Sequence, residues 1–230
     1  MSGLARDFLV ERVLHRDGLM IIIDKPAGLP VHAGPGGGDT LEDYFDALQF
    51  GLKRPPALAH RLDRDTSGCL VLGRHPKALK KLGRLFQEGR VEKTYWALCR
   101  GAPGEGRVDA PLKKVAHGTG WRVEIAADGQ AASTQFRTLH ERDGIALVEA
   151  QPLTGRTHQI RVHLAARGAP ILGDPRYGDL DAEDRARPMM LHARRIVLPI
   201  AASKPPVEAT APPPAPMRAL LDAIGYAYSP

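Results

Sequence analysis

The stretch that most restricts how this chain can fold runs from Ala59 to Arg74, where a dense polar segment joins a short apolar run without a linker. It holds two carboxylates (Asp63, Asp65), three guanidinium groups (Arg61, Arg64, Arg74), an imidazole (His60) and two hydroxyls (Thr66, Ser67). The run Cys69 to Leu72 follows, bounded by Gly68 and Gly73. Four apolar residues between glycines form a buried strand rather than a helix, and the charged segment before them is a loop that delivers side chains to the strand's edge. A charged loop beside a strand is ordinary by itself. The pattern His-Arg-Leu-Asp-x-x-Thr-Ser-Gly is far more specific, and it marks the loop as a candidate chemical site.

The rest of the chain gives this strand a context of mixed elements. With 230 residues, 43% of them hydrophobic and 25% charged, it can bury a substantial core, and one domain over 1–230 is the expectation. Leu19 to Asp24 reads as a buried strand ended by Lys25-Pro26-Ala27-Gly28, since proline removes a ladder donor and Gly28 permits a turn. Gly34 and Gly36 to Gly38 continue an open loop; no Gly-Lys-Ser/Thr follows, so they are not read as a nucleotide site. Thr40 with Asp43 opens a helix whose Leu41, Tyr44, Phe45 and Leu48 share a face up to Gly51. Pro76 opens another, with Leu79, Leu82 and Phe86 as its apolar stripe and Gly89 as its stop. Strands are expected at 91–100, 121–126, 133–139 and 145–150, a helix over 157–167, a proline-rich non-helical connector over 201–216, and a last helix over Met217 to Ile224. Without regular βαβ alternation or an internal repeat, this is an α+β chain with a largely antiparallel or mixed sheet.

Charge narrows the partner. The net charge is +6, and residues 74–100 carry that excess within one window of eight basic and two acidic side chains. Lys77, Lys80, Lys81 and Arg84 fall on the polar face of the helix after Pro76, which suits either a polyanion or plain solvent. No run approaches the length of a membrane span and no leader pattern is seen, so a soluble cytoplasmic protein is expected. Cys69 and Cys99 lie in apolar strand-like settings without the spacing of a redox or zinc motif, and are expected as buried thiols. His158 and His163, five apart, do not match a metal pair, and no metal is expected.

The Ala59–Arg74 window resembles the catalytic signature of the RluA-type pseudouridine synthases, which isomerise uridine in tRNA and ribosomal RNA. Further blocks follow in the family's order: Asp24 to Leu29, Glu92-Lys93-Thr94-Tyr95, Gly155 to Arg161, and Leu191-His192-Ala193. The resemblance implies the pseudouridine synthase fold, a long bent mixed or antiparallel sheet flanked by helices with a central cleft. It implies no cofactor, since the reaction moves the glycosidic bond from uracil N1 to C5 without redox change. By the resemblance Asp63 is the essential carboxylate, Arg156 the cation that keeps it charged, and Tyr95 the ring that packs on the uracil and is placed to move the C5 proton. Whether Asp63 attacks C1′ or C6, or takes a proton from C2′, is open at this point. A base must leave its stack to be reached, and Arg61 is the candidate wedge, with His60 instead orienting the loop; the sequence does not separate the two. His60, Arg61, Arg64, Lys77, Lys81, Arg84 and Arg161 form the expected RNA-binding set, acting on RNA as a monomer. Two departures are noted. Cys69 stands where an aliphatic residue is usual, and no small RNA-binding domain precedes the fold, so this domain is expected to grip its own RNA. The rivals are a catalytically silent RNA-binding or RNA-chaperone module, a metal-dependent RNA hydrolase, and a structural ribosome-associated protein.

Overall fold

A computed structural model describes residues 7–33, 37–118, 120–178 and 180–228. In chain order come a 3-10 turn at Val10–Arg12, β1 (Val13–Arg16), β2 (Met20–Lys25), a longer 3-10 helix at Leu41–Leu48, β3 (Ala57–Leu58), β4 (Ser67–Gly73) and α1 (Pro76–Gln87). Then follow β5 (Glu92–Arg100), β6 (Glu105–Asp109), β7 (Leu112–His117), β8 (Gly120–Ile125), β9 (Ser133–Arg142) and β10 (Ile145–Pro152). The chain ends with α2 (Gln159–Ala166), α3 (Ala182–Ala186), β11 (Leu191–Leu198), β12 (Val207–Thr210) and α4 (Ala215–Ala223). This is the expected α+β class, with helices against largely antiparallel strands. The described residues group into two compact units, Met1–Glu92 with Ala193–Pro212, and Lys93–His192 with Pro213–Pro230.

In the first unit β4 is buried at every position, as its continuous apolar run requires. It pairs antiparallel with β2, from Met20 opposite Gly73 to Lys25 opposite Gly68, while β1 lies antiparallel on β2 and β3 on β4. The part of β11 from Ala193 onward pairs antiparallel with β12, Arg195 opposite Thr210. That pairing corrects part of the expected 201–216 connector: Val207, Ala209 and Thr210 form a short strand between prolines, and α4 begins at Ala215. The helix expected from Thr40 is a 3-10 helix, held at its start by the Thr40 amide donating to Asp43 Oδ2 at 2.7 Å, with Leu41, Phe45 and Leu48 buried. Helix α1 has Pro76 in its first turn, and His75 Nδ1 accepts the Ala78 amide at 3.2 Å as its cap. Its Leu82 and Leu85 enter a core with Met20, Ile22, Val71, Ile196 and Leu198. Lys77, Lys80, Lys81 and Arg84 lie on its outer side, away from that core. Of the glycine-rich loop, Gly34 and Gly36 lie outside the described residues.

In the second unit β5, β10, β9 and β6 make an antiparallel sheet, with Tyr95 opposite Ala150 and Arg100 opposite Ile145. Strands β7 and β8 form a separate hairpin. Trp96, Leu98, Leu147, Ile160, Leu164 and Leu221 share one core. Helix α2 is buried on all sides from Gln159 to Leu164, so its polar residues must find partners inside the protein. Among the described residues no helix is long and apolar enough to cross a membrane.

Candidate active site

The loop before β4 is fixed through its backbone. Lys25 is fully buried, and its Nζ donates to the carbonyl oxygens of Pro26 (2.8 Å), Arg64 (2.8 Å) and Thr66 (3.0 Å). All three ammonium hydrogens therefore have acceptors, two of them across the loop that carries Asp63. Gly28 N–H adds a second donor to the Arg64 carbonyl at 3.0 Å, and Thr66 N–H closes a turn onto the Asp63 carbonyl at 3.2 Å. Burial pushes the Lys25 amine down to about 8, against the opposing pull of Asp65, Asp63 and Asp24. Burial also pushes the Asp24 carboxyl above its usual range, although Arg12 and Lys25 oppose it. Lys25 is the main residue that sequence reasoning missed. Its signal was a cation placed directly after a buried strand, within the Asp-Lys-Pro-Ala-Gly block.

Around this tether Leu62, Thr66 and Ser67 are buried, Asp63 is half-buried and Arg61 is exposed. Val71 N–H donates to His60 Nε2 at 3.0 Å, and the His60 ring stacks on Phe86 at 4.4 Å. These two contacts hold the His60 ring against β4 and α1. Arg64 forms a two-pronged pair with its neighbour Asp65, at 3.0 and 3.2 Å, on the exposed side. The loop turns into β4 at Gly68, whose φ is +103° and where an added Cβ would sit 2.3 Å from the Ala193 carbonyl oxygen. Only glycine fits that close approach. The Cys69 thiol donates to the carbonyls of Ala209 (3.6 Å) and Arg194 (3.7 Å), and burial pushes it up to about 12, so it is an inert core group.

The other candidates belong to the second unit. Tyr95 is half-buried on β5, and Lys93, two residues before it, donates to the Thr154 carbonyl at 3.1 Å. That bond ties β5 to the loop carrying Arg156. Arg156 is exposed, its Nε donating to the Ala131 carbonyl at 3.0 Å. Its backbone is set by Gln159, whose Oε1 accepts from Arg156 N (3.0 Å) and Thr154 Oγ1 (2.6 Å). The Gln159 amide donates to the Ser133 carbonyl (2.8 Å) and Thr134 Oγ1 (3.0 Å), so every polar group of this buried side chain is used. His158 holds a left-handed φ of 53°, kept there by stacking on Trp121 at 5.1 Å and by a 2.6 Å bond between Nδ1 and the Tyr177 hydroxyl.

One expected RNA contact is corrected. Arg161 is only 5% exposed and makes a two-pronged pair with the buried Asp174, at 2.7 and 2.8 Å. A guanidinium sealed into such a pair braces α2 and is not presented to a ligand. Lys77 and Lys81 are exposed on α1, and Arg84 on the same helix bonds to Glu88 at 2.6 Å near the surface.

Residues 19–166 match the family described as RNA pseudouridylate synthase. A Zymomonas mobilis protein described as an uncharacterized RNA pseudouridine synthase is 47% identical over 208 residues, covering 89% of this chain and 94% of that protein. The ribosomal large subunit pseudouridine synthase C of Vibrio vulnificus is 35% identical over 215 residues, 89% of this chain, which spans 66% of that longer relative. Among solved structures, human RNA pseudouridylate synthase domain containing 4 superposes with a TM-score of 0.80 at 30% identity, covering 95% of each chain. The chain belongs to the RNA pseudouridine synthases of RluA type. Its reaction class is the isomerisation of uridine to pseudouridine.

Proposed function

We propose that this chain modifies specific uridines of large-subunit ribosomal RNA, tRNA or both, with Asp63 as the essential carboxylate. The observation that carries the assignment is the Lys25 tether, which holds the peptide carbonyls of Arg64 and Thr66 just after Asp63 while the Asp63 side chain stays half-buried. A reacting group needs its backbone held so that it meets the nucleotide in one geometry. The reaction breaks the bond from N1 to C1′, turns the uracil and forms the bond from C5 to C1′. The C5 proton leaves and N1 regains one, so no atom, electron or cofactor is consumed. Tyr95 provides the ring against the uracil and Arg156 the compensating positive charge, the roles that the resemblance implies for them.

Arg61, exposed on the tethered loop, is the side chain that fills the stack when the target base leaves it, while His60 serves the loop. The cations of α1, Lys77, Lys81 and Arg84, take phosphates, with Arg64 at the rim. Arg161 is left out of that surface. The whole chain acts as one catalytic domain, a cytoplasmic monomer that works without a metal. The name of the Vibrio relative supports the ribosomal target over the tRNA one.

The test is Asp63→Asn on unmodified transcripts of tRNA and large-subunit rRNA. Chemical mapping should find no pseudouridine even at enzyme excess, while a gel shift finds RNA binding intact, because affinity rests on phosphate contacts elsewhere. Wild-type turnover should persist in excess chelator. Product from Asp63→Asn would overturn the assignment, and binding without product from the wild type would leave an RNA-binding module.

A further inference from the structure

Two lysines in this protein have amines pushed down to about 8 by burial, and they use their hydrogens very differently. Lys25 gives all three to carbonyl oxygens and has carboxylates around it. Lys93 gives one, to the Thr154 carbonyl. Among the described residues no other acceptor and no carboxylate is paired with it, and burial alone accounts for its lowered value. Two N–H donors of this half-buried cation are thus left without protein partners among the described residues. Such a group is costly unless something completes it.

Its position says what that is. Lys93 and Tyr95 are separated by one residue on β5, so both side chains leave the strand on the same face. The carbonyl that Lys93 holds belongs to Thr154, two residues before Arg156. Lys93 is half-buried rather than sealed, so a ligand can reach it. An uncompensated ammonium calls for an anion, and the anions of RNA are its phosphodiesters. We propose that Lys93 is a substrate-binding cation, its ammonium taking a phosphodiester oxygen of the nucleotide presented to Tyr95 and Arg156. The inference rests on the reading of the chain as an RNA-modifying enzyme. The competing role is a purely internal tie between β5 and the Thr154 carbonyl.

Salt dependence separates the two. Removing one cation from a phosphate lowers the slope of log affinity against log salt by about 0.7 to 0.9. Removing an internal tie weakens binding without changing that slope. Affinity for an unmodified large-subunit rRNA transcript should be measured from low to moderate salt for wild type, Lys93→Met and Lys93→Arg, with pseudouridine formation followed on the same RNA. Lys93→Met should lose about one phosphate's worth of slope and bind roughly tenfold more weakly at low salt, and Lys93→Arg should restore the slope. If Lys93→Met misfolds, Lys93→Gln supplies the uncharged arm. A wild-type slope in an uncharged, folded variant overturns the proposal, even if its binding is weaker. A slope that falls on substitution, in a protein whose wild type makes no pseudouridine, would instead sink the catalytic reading and leave the phosphate contact standing.

Discussion

Replacing Lys25 by methionine tests the tether and the buried charge together. At neutral pH the wild type carries a penalty for burying an ammonium. The fall of the amine from the ordinary lysine value of 10.5 to about 8 corresponds to ~3 kcal/mol. Against this stand three hydrogen bonds. The Arg64 carbonyl keeps the Gly28 amide in the variant, while the Pro26 and Thr66 carbonyls lose the ammonium. A buried carbonyl left unpaired costs ~1–3 kcal/mol, so the two losses come to ~2–6 kcal/mol. The net loss at pH 7 is therefore at most ~3 kcal/mol. The pH dependence is sharper. Below about 8 the lysine is protonated in both the folded and unfolded states, and stability does not vary with this group. Between about 8 and 10.5 the unfolded chain holds the proton that the folded protein has released. Wild-type stability therefore rises with pH there, by up to ~1.4 kcal/mol per pH unit. Methionine has no such proton. Urea unfolding of both proteins at about pH 7 and about pH 9.5 should show the stability gap widening by ~2 kcal/mol in favour of the wild type. Titrating groups that do not interact with Lys25 are common to both proteins and cancel. A gap of the same size at both pH values would refute the argument that Lys25 titrates as a buried amine.

Gly68→Ala should be among the most damaging small substitutions, at least ~3 kcal/mol by urea or thermal unfolding, because strain at a positive φ adds to a clash with the backbone of Ala193. Gly28→Ala is its control: φ is +86° but nothing lies within 4 Å of the added Cβ, so only ~1–2 kcal/mol of strain is expected, and equal losses would show that the close approach has no weight. Reversing three charges with Lys77→Glu/Lys81→Glu/Arg84→Glu should weaken RNA binding and flatten its salt dependence by about two to three phosphates. An unaltered slope would place α1 away from the RNA.

What could be read from the sequence follows how locally each element is encoded. Strand β4 and helix α1 were legible because an apolar run between glycines, and an apolar stripe behind a proline, settle their own structure. Strands β6 and β7 were not read. They are largely exposed and carry residues such as Glu105, Arg107, Lys113 and Lys114, so no buried face shows as alternation. Strand β12 was hidden among prolines. Arg161 was misjudged because an arginine in an amphipathic-looking helix reads as solvated, whereas its partner Asp174 lies thirteen residues away on another segment. Lys25 eluded reading for the same reason on a larger scale, since two of its acceptors are 39 and 41 residues distant. His60 and Arg61 are adjacent and both polar; only the Val71 amide and the Phe86 ring separate the inward residue from the outward one.

The misread residues have a common physical logic. Side chains that react with a nucleotide cannot be immobilised by packing, since packing would bury the atoms that must be reached. Their backbones have to be held instead. In the roles proposed above, Asp63 and Arg156 are such side chains; ordinary strand pairing would hold them, but it would turn each to one face of a ladder. The chain uses side chains that bond to main-chain groups: the buried Lys25 to the Pro26, Arg64 and Thr66 carbonyls, the buried Gln159 to Ser133 and Arg156, and the half-buried His60 to Val71. A lysine is efficient in this role because one ammonium can satisfy three carbonyls that no strand could reach together. The arrangement explains why polar residues just outside the signature are buried, and why neither apolar nor neutral replacements of the same size should keep both the loop's shape and the chemistry it presents.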